Sequence, residues 1–358
     1  MKSNIVKGLL LLLLYSAYNK IAFAQDIHFS QFQMAPLVQN PALAGALFDT
    51  EALINYKNQW RSVGTPYTTV AASYDMKLNT RKFQRGNFAT GLNFFSDKAG
   101  DGNLGTTQVA LSLAYHLRVA KKSSLGVGLQ TGFVQKSIDF SKLTWDTQYD
   151  GTIINTSLNN GEPLIGSSII APDFSLGMLW KYDNTAIVDP IKTQDQEISQ
   201  PKKEMKVNVG FAVSHVNQPN ISFYNSTTDK LNMKYVLHGS ATLALNQRFA
   251  LLPGFMAYKQ GALQEFLIGS MLRVKLSQET KSSFLNKGVS LSIGAYHRAK
   301  DAMAICTLFE YSNYAMGISY DINTSVLNTV SSFKGGIELT LRYVTPNPFT
   351  TKTAATRL

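Results

Sequence analysis

Apolar and polar residues alternate with a period of two from about residue 51 to the C-terminal region, broken by short polar stretches. A period of two is the mark of strands with two unlike faces. Between Lys206 and Val216, residues Val207, Val209, Phe211 and Val213 share one face, against Lys206, Asn208, Gly210, Ala212 and Ser214. Between Thr69 and Lys77 the apolar side is Val70, Ala72, Tyr74 and Met76, opposite Thr69, Ala71, Ser73, Asp75 and Lys77. Phe266, Ile268, Leu272 and Val274 oppose Glu265, Gly269, Arg273 and Lys275, and Ile337, Leu339, Leu341 and Tyr343 alternate with Gly336, Glu338, Thr340 and Arg342. Counting such segments gives about 14, an even number, as a barrel with both chain ends on one side requires. The first lies near 51–58 and the last near 334–344, with others near 205–216, 302–311 and 314–323.

The polar face decides between a soluble sandwich and a membrane barrel. It is rich in Gly, Ala, Ser and Asn, with occasional charges such as Arg273 and Glu338. Small polar residues suit the inside of a narrow barrel, and the apolar face suits lipid. A sandwich would place long charged side chains on its solvent face. Tyrosines at segment ends (Tyr74, Tyr115, Tyr182, Tyr235, Tyr258, Tyr296, Tyr320 and Tyr343) predict an interfacial girdle. The fold class is therefore all-β, a transmembrane antiparallel β-barrel spanning 51–344. If the first strand runs outward, Lys121-Lys122, Asn246-Gln247 and Asn313 mark periplasmic turns, and 139–170 and 218–233 become extracellular loops. The polar stretch 183–204 is an exception, a long connection assigned to the periplasm. Residues 25–50 alternate poorly, and Asn40-Pro41 marks a turn in them. That segment is either a short plug in the lumen or an ordered lead-in to the first strand.

Export accounts for the N-terminus. Lys2 and Lys7 precede the apolar run Leu9 to Leu14, and Ala22-Phe23-Ala24 offers small residues to a signal peptidase. Residues 1–24 thus read as a signal peptide, too short in its apolar part for a spanning helix. No later apolar run escapes interruption by polar residues, and only helices or closed barrels satisfy their backbone in lipid. Cys306 is the single cysteine, so no internal disulfide can form. The formal charge of +11 falls to about +8 without the three leader lysines, and the basic residues are scattered over turns and strands. Scattered basic residues fit solvated turns and a basic lumen, with no nucleic-acid partner.

Catalytic and cofactor patterns are missing from the sequence. There is no GxSxG, HExxH, CxxC or GxxxxGK[ST], and His28, His116, His215, His238 and His297 lie on different segments. The chain is read as a non-enzyme without cofactors or a metal site. Asp97, Asp101 and Asn103 faintly resemble a calcium loop, but Gln108 stands where an EF-hand needs its closing acid. A Gly/Asp-rich hairpin turn explains the same residues. The stretch from Asn55 to Thr69 is more distinctive, joining the first two strands through Gly64-Thr65-Pro66. Trp60 is there either a girdle aromatic or part of a docking surface at the barrel mouth.

Several stretches, in order along nearly the whole chain, resemble the PorP/SprF proteins of the type IX secretion system. They include QDIHFSQF from Gln25, QNPALAG from Gln39, NYKNQWRSVGTPYTT from Asn55 and FFSDKAGDGNLGT from Phe94. LTWDTQYDG from Leu143, VGFAVSHVNQPNISF from Val209, GISYDIN from Gly317 and GGIELTLRY from Gly335 continue the match. Only the 183–204 connection and a tail, 345–358, depart from it. The resemblance implies a cell outer-membrane barrel that assists export of a cargo protein, an adhesin or exoenzyme, and holds it at the cell surface. The expected partners are the cargo's C-terminal secretion domain, other type IX components and outer-membrane lipid, and some members serve gliding motility. At the mouth, Gln59, Trp60, Arg61, Gly64, Thr65 and Pro66, with Trp145 and Tyr149, are the expected cargo contacts, since aromatic and Arg residues anchor interfaces. The alternative is a passive channel for a small solute or lipid.

Overall fold

In the computed structural model, the described residues are 26–345 apart from 63, 79–85, 162–165, 186–203, 224–228, 278–287 and 326–327. The proposed signal peptide, most of the 183–204 connection and nearly all of the tail lie outside them. Fourteen strands run in chain order. The first seven are β1 (Thr50–Gln59), β2 (Tyr67–Lys77), β3 (Gly86–Ala99), β4 (Leu104–Ala120), β5 (Ser123–Ser137), β6 (Ser168–Asp183) and β7 (Met205–Ser214). The rest are β8 (Lys234–Ala244), β9 (Phe249–Gln260), β10 (Leu263–Ser277), β11 (Val289–Arg298), β12 (Ala302–Tyr311), β13 (Tyr314–Asn323) and β14 (Lys334–Thr345). Each pairs antiparallel with its sequence neighbours, and β1 closes on β14 with Ile54 opposite Leu341 and Gln59 opposite Gly336. Closure leaves no strand edge, so every ladder has a partner on both sides.

Alternation sorts each strand between two environments. On β1, Leu53, Asn55, Lys57 and Gln59 are buried inside, while Ile54 and Tyr56 are exposed outside. The outer face continues through Leu113, Val127, Met178, Ile293 and Leu341, all exposed. An apolar band this continuous around a closed sheet is what lipid requires of the surface. Tyr74, Tyr235, Tyr320 and Tyr343 are exposed on this outer wall. Tyr258 and Tyr296 are corrections to the girdle expectation: they are 4% and 2% exposed, on inward positions of β9 and β11. They belong to an apolar cluster with Phe32, Leu252, Leu267 and Met271, so the inner wall is not uniformly small and polar.

Residues 26–49 lie inside the barrel. They form three short helical turns, Phe32–Met34, Pro36–Gln39 and Pro41–Leu43, rather than strands. Phe32, Leu37, Asn40, Ala42 and Ala44 are each 2% exposed or less, buried against the surrounding wall. Of the two readings of this segment, the plug describes its place. The two barrel ends are distinguished here as the near end, where β1 begins and β14 finishes, and the far end. The far end carries the connections 60–66, 100–103, 138–167, 215–233, 261–262, 299–301 and 324–333. Asp26 contacts Gln260 at the far end of β9, and Thr50 opens β1 at the near end. The plug thus runs down the lumen from far end to near end.

Candidate functional site

The plug is seated by close approach in its middle. Asn40 caps the last helical turn, accepting a hydrogen bond from the Ala42 amide at 2.9 Å. Its side-chain amide donates to the Met178 carbonyl at 2.9 Å and lies 3.0 Å from Nε2 of His238. Glycines make this possible: a Cβ at Gly177 would strike the side-chain oxygen of Asn40, and one at Gly128 the backbone of Pro41 and Ala42. The wall glycines that suited a narrow barrel in general are here clearance for one particular turn.

Toward the far end, charge takes over from shape. The amides of Ser30 and Gln31 donate to the Glu338 carboxylate, at 2.7 and 3.1 Å for the shorter contact of each. The Ser30 hydroxyl donates to Asp321 at 2.7 Å and itself accepts from Arg298. Lys57 lies 3.0 Å from Glu338, and Arg298 lies 3.2 Å from Asp321. These two cations and two acids are essentially fully buried, so each depends on the others and on the plug for its partners. Lys57 also donates to the carbonyl of His28 at 3.0 Å. Burial together with Lys57 and Arg298 lowers the pKa of His28 well below its usual value. Burial and the two cations thus disfavour the charged imidazole in its 3.8 Å approach to Glu265.

A second cluster holds the start of the plug. His215 sits just past β7 between two carboxylates, with Nε2 at 2.7 Å from Asp26 and Nδ1 at 2.8 Å from Asp173. Lys234 lies 3.7 Å from Asp26. Burial alone would lower the His215 pKa, but Asp26 and Asp173 outweigh it and raise it to about 9. Burial likewise opposes ionisation of Asp26, yet His215 and Lys234 hold it far below the ordinary carboxylate range. At the near end the seal is hydrogen-bonded: the Gly45 amide to Asp75 at 2.7 Å, Lys181 to the Ala46 carbonyl at 2.6 Å, and His116 Nε2 against the Ala44 carbonyl at 2.8 Å.

The residues expected to contact cargo all lie at the far end. Gln59 is buried and points inward at the last position of β1. Trp60 has a left-handed backbone, φ 59°, an uncommon state for a bulky residue, and its amide donates to the Gly335 carbonyl at 2.8 Å. Its ring meets Tyr67 edge-on at 5.0 Å. Arg61, Gly64 and Thr65 are exposed and Pro66 is half-buried. The Thr65 hydroxyl donates to Asp101, and the Asp139 amide donates to the Gly102 carbonyl at 2.8 Å, so the 100–103 turn joins the first loop to the long one. Within the long loop, Phe140 stands 6.4 Å from Trp145 and 6.3 Å from Phe223 of the 215–233 connection. Tyr149 is exposed beside Ile153 and Ile154. These contacts link four connections in series, 60–66, 100–103, 138–167 and 215–233. The calcium-like residues are engaged otherwise, Asp97 by the Thr69 hydroxyl at 2.5 Å and Asp101 by Thr65.

Residues 21–343 match the family described as Type IX secretion system membrane protein PorP/SprF. The chain belongs to this family. It is an outer-membrane β-barrel component of the type IX secretion system. No curated protein matches it. It is also similar to the Ralstonia pickettii toluene transporter TbuX, with 10% identity and a TM-score of 0.46 over 87% of this chain and 92% of that one. For the Pseudomonas putida toluene transporter TodX the values are 9%, 0.45, 87% and 93%. For BamA from Haemophilus ducreyi lacking POTRA domains 1–3 they are 10%, 0.39, 83% and 70%. These likenesses say nothing of what this PorP/SprF barrel binds.

Apart from Asn40, which the sequence marks as a turn with Pro41, sequence reading missed the residues that seat the plug. Asp26, Ser30, Asn40, Lys57, His215, Asp321 and Glu338 all fall inside the stretches that carry the family resemblance. Their concentration in those stretches was the available signal. Arg298 lies in none of the stretches quoted above, and only its buried neighbours reveal it.

Proposed function

We propose that this barrel is a non-enzymatic docking platform. It assists export of one cargo protein and keeps it at the cell surface by binding the cargo's C-terminal secretion domain at the far-end mouth. The observation that carries this reading is the occupied lumen: with its own chain held there by hydrogen bonds along the interior and by ion pairs at Asp26, the barrel's recognition surface lies at a mouth. The far end is then the cell exterior, with β1 running outward, and it bears the longest described loop, 138–167. Trp60, Arg61, Trp145 and Tyr149 are the anchors, aromatic and Arg side chains of the kind that dominate interfaces. The reading carries with it a cleaved leader, 1–24, and a tail, 345–358, beyond the barrel.

The test is Trp60→Ala with Arg61→Ala in cells that secrete the cargo. Cargo should be lost from the surface while the assembled barrel stays at its normal level, and it should no longer co-purify with the tagged barrel. Normal surface display by the assembled variant would remove these residues from the contact. A passive channel for a small solute is the rival. The seated plug argues against it, and steady conductance of the wild-type barrel in planar bilayers would restore it.

A further inference from the structure

A cavity of about 250 Å³ remains between the plug and the inner wall at the near end. Its floor is apolar: Phe32 and Met34 of the plug face Leu252, Met271 and Leu308 of the wall, each 5% exposed or less. Its rim is charged. Lys206, Arg273 and Arg342 stand against Glu204 and Glu310, an excess of one cation. Arg342 Nη2 lies 2.8 Å from Glu310 and Arg273 Nε lies 3.0 Å from it, while Lys206 pairs with Glu204 at 2.9 Å. The Nε of both arginines makes no hydrogen bond, the Arg273 contact being an ion pair outside hydrogen-bond geometry. Deeper in, the side-chain amide nitrogen of Gln31 also has no partner, although this residue is 5% exposed. Native interiors rarely leave such groups unmatched.

We propose that this cavity binds a single-chain anionic amphipath, a fatty-acid-like carboxylate, with its head on the guanidinium edges of Arg273 and Arg342 that Glu310 leaves free and its chain along the Phe32–Met271 floor. Each half of the cavity excludes a simpler ligand. A neutral hydrocarbon leaves the guanidinium N–H groups unmatched, and a small polar anion leaves the floor unmatched. A peptide fits poorly because the wall backbone is committed to its ladders: β10 pairs with β9 and β11 along this stretch, so an incoming amide would find few partners. An acyl chain has no such groups to satisfy. Exposed Lys206 and Leu47 on the lining place the entrance at the near end. The site is independent of the far-end docking surface.

The experiment uses the full barrel in phosphatidylcholine nanodiscs, titrated with decanoate by calorimetry against empty nanodiscs. Saturable binding of one decanoate per barrel is expected, at least tenfold tighter than decanol. The combined Arg273→Gln, Arg342→Gln and Glu310→Gln variant removes the cations with their shared acid, leaving none of the three charged, and should weaken decanoate at least tenfold. Met271→Trp fills the floor without changing charge and should abolish binding; it decides the matter where the triple variant fails to fold. No saturable binding above empty nanodiscs, or undiminished binding by folded Met271→Trp barrels, overturns the proposal. Equal affinity for decanol overturns its anionic half.

Discussion

The plug interface and the far-end loops are built on opposite principles. Around the plug, charges are buried, paired and bonded to backbone: Glu338 alone serves Ser30, Gln31 and Lys57. In the loops, the polar groups mostly bond to their own neighbours, as Asp139 does to Ser141 and Asp150 to Thr152, while Tyr149 and Ile153 stay 56% and 65% exposed. Removing a partner in the first region strands a buried charge, whereas in the second it is replaced by water. The difference separates what holds the barrel together from what is left available to a partner.

The largest expected effect breaks the first region. Glu338→Ala leaves Lys57 buried beside Asp321 alone and removes the acceptor for two plug amides, a loss of about 3–5 kcal/mol. A lowered melting temperature in detergent checks this, and wild-type melting would mean the lumen is wetter than its burial implies. Next comes shape. Gly177→Val drives a side chain into the Asn40 seat, an overpacking cost of about 1–3 kcal/mol. The barrel should still close, with the 26–49 segment newly open to protease and the lumen newly conducting. A protease-resistant plug in that variant would show that the wall yields instead.

A smaller effect is a dependence on pH at the start of the plug. The His215 pKa is raised to about 9 from an ordinary 6.5, so its contribution is complete below 6.5 and lost as pH rises through 9. Asp26 is shifted the other way: its contribution is present above the ordinary carboxylate value and lost as pH falls below it. Amide exchange at Asp26 to Ser30, corrected for the intrinsic rise with pH, should therefore accelerate above about pH 9, and His215→Ala should flatten that step. The smallest effect sharpens the comparison from the other side. Arg61→Ala and Tyr149→Ala should each change stability by less than about 0.5 kcal/mol. A melting curve superimposable on wild type, together with lost cargo binding, would mark these loops as recognition surface.

Strand boundaries were legible almost residue by residue. The segments 302–311 and 314–323 coincide with β12 and β13, and the ends of the barrel, 51–58 and 334–344, fall within a residue of β1 and β14. The segment 205–216 overran, because β7 stops at Ser214 where His215 turns out of the sheet with a left-handed φ of 57°. The tyrosine girdle was half legible. Tyr258 and Tyr296 lie at strand ends, but on inward positions, where their rings cover the plug instead of meeting lipid. The far-end placement of Trp60, Arg61, Trp145 and Tyr149 followed from the order of the strands, and the inward side of Gln59 from the alternation it shares with Leu53, Asn55 and Lys57.

The sequence by itself determined the strands, their faces and the even count, because alternation is a local property: each residue's side follows from its neighbour's. Only the tertiary structure decided what occupies the lumen and which charges meet there. Ser30 and Glu338 are 308 positions apart, and nothing local relates them until fourteen strands close and bring β14 beside β1. Partnership across a barrel is set by closure and register together, and both are sums over the whole chain.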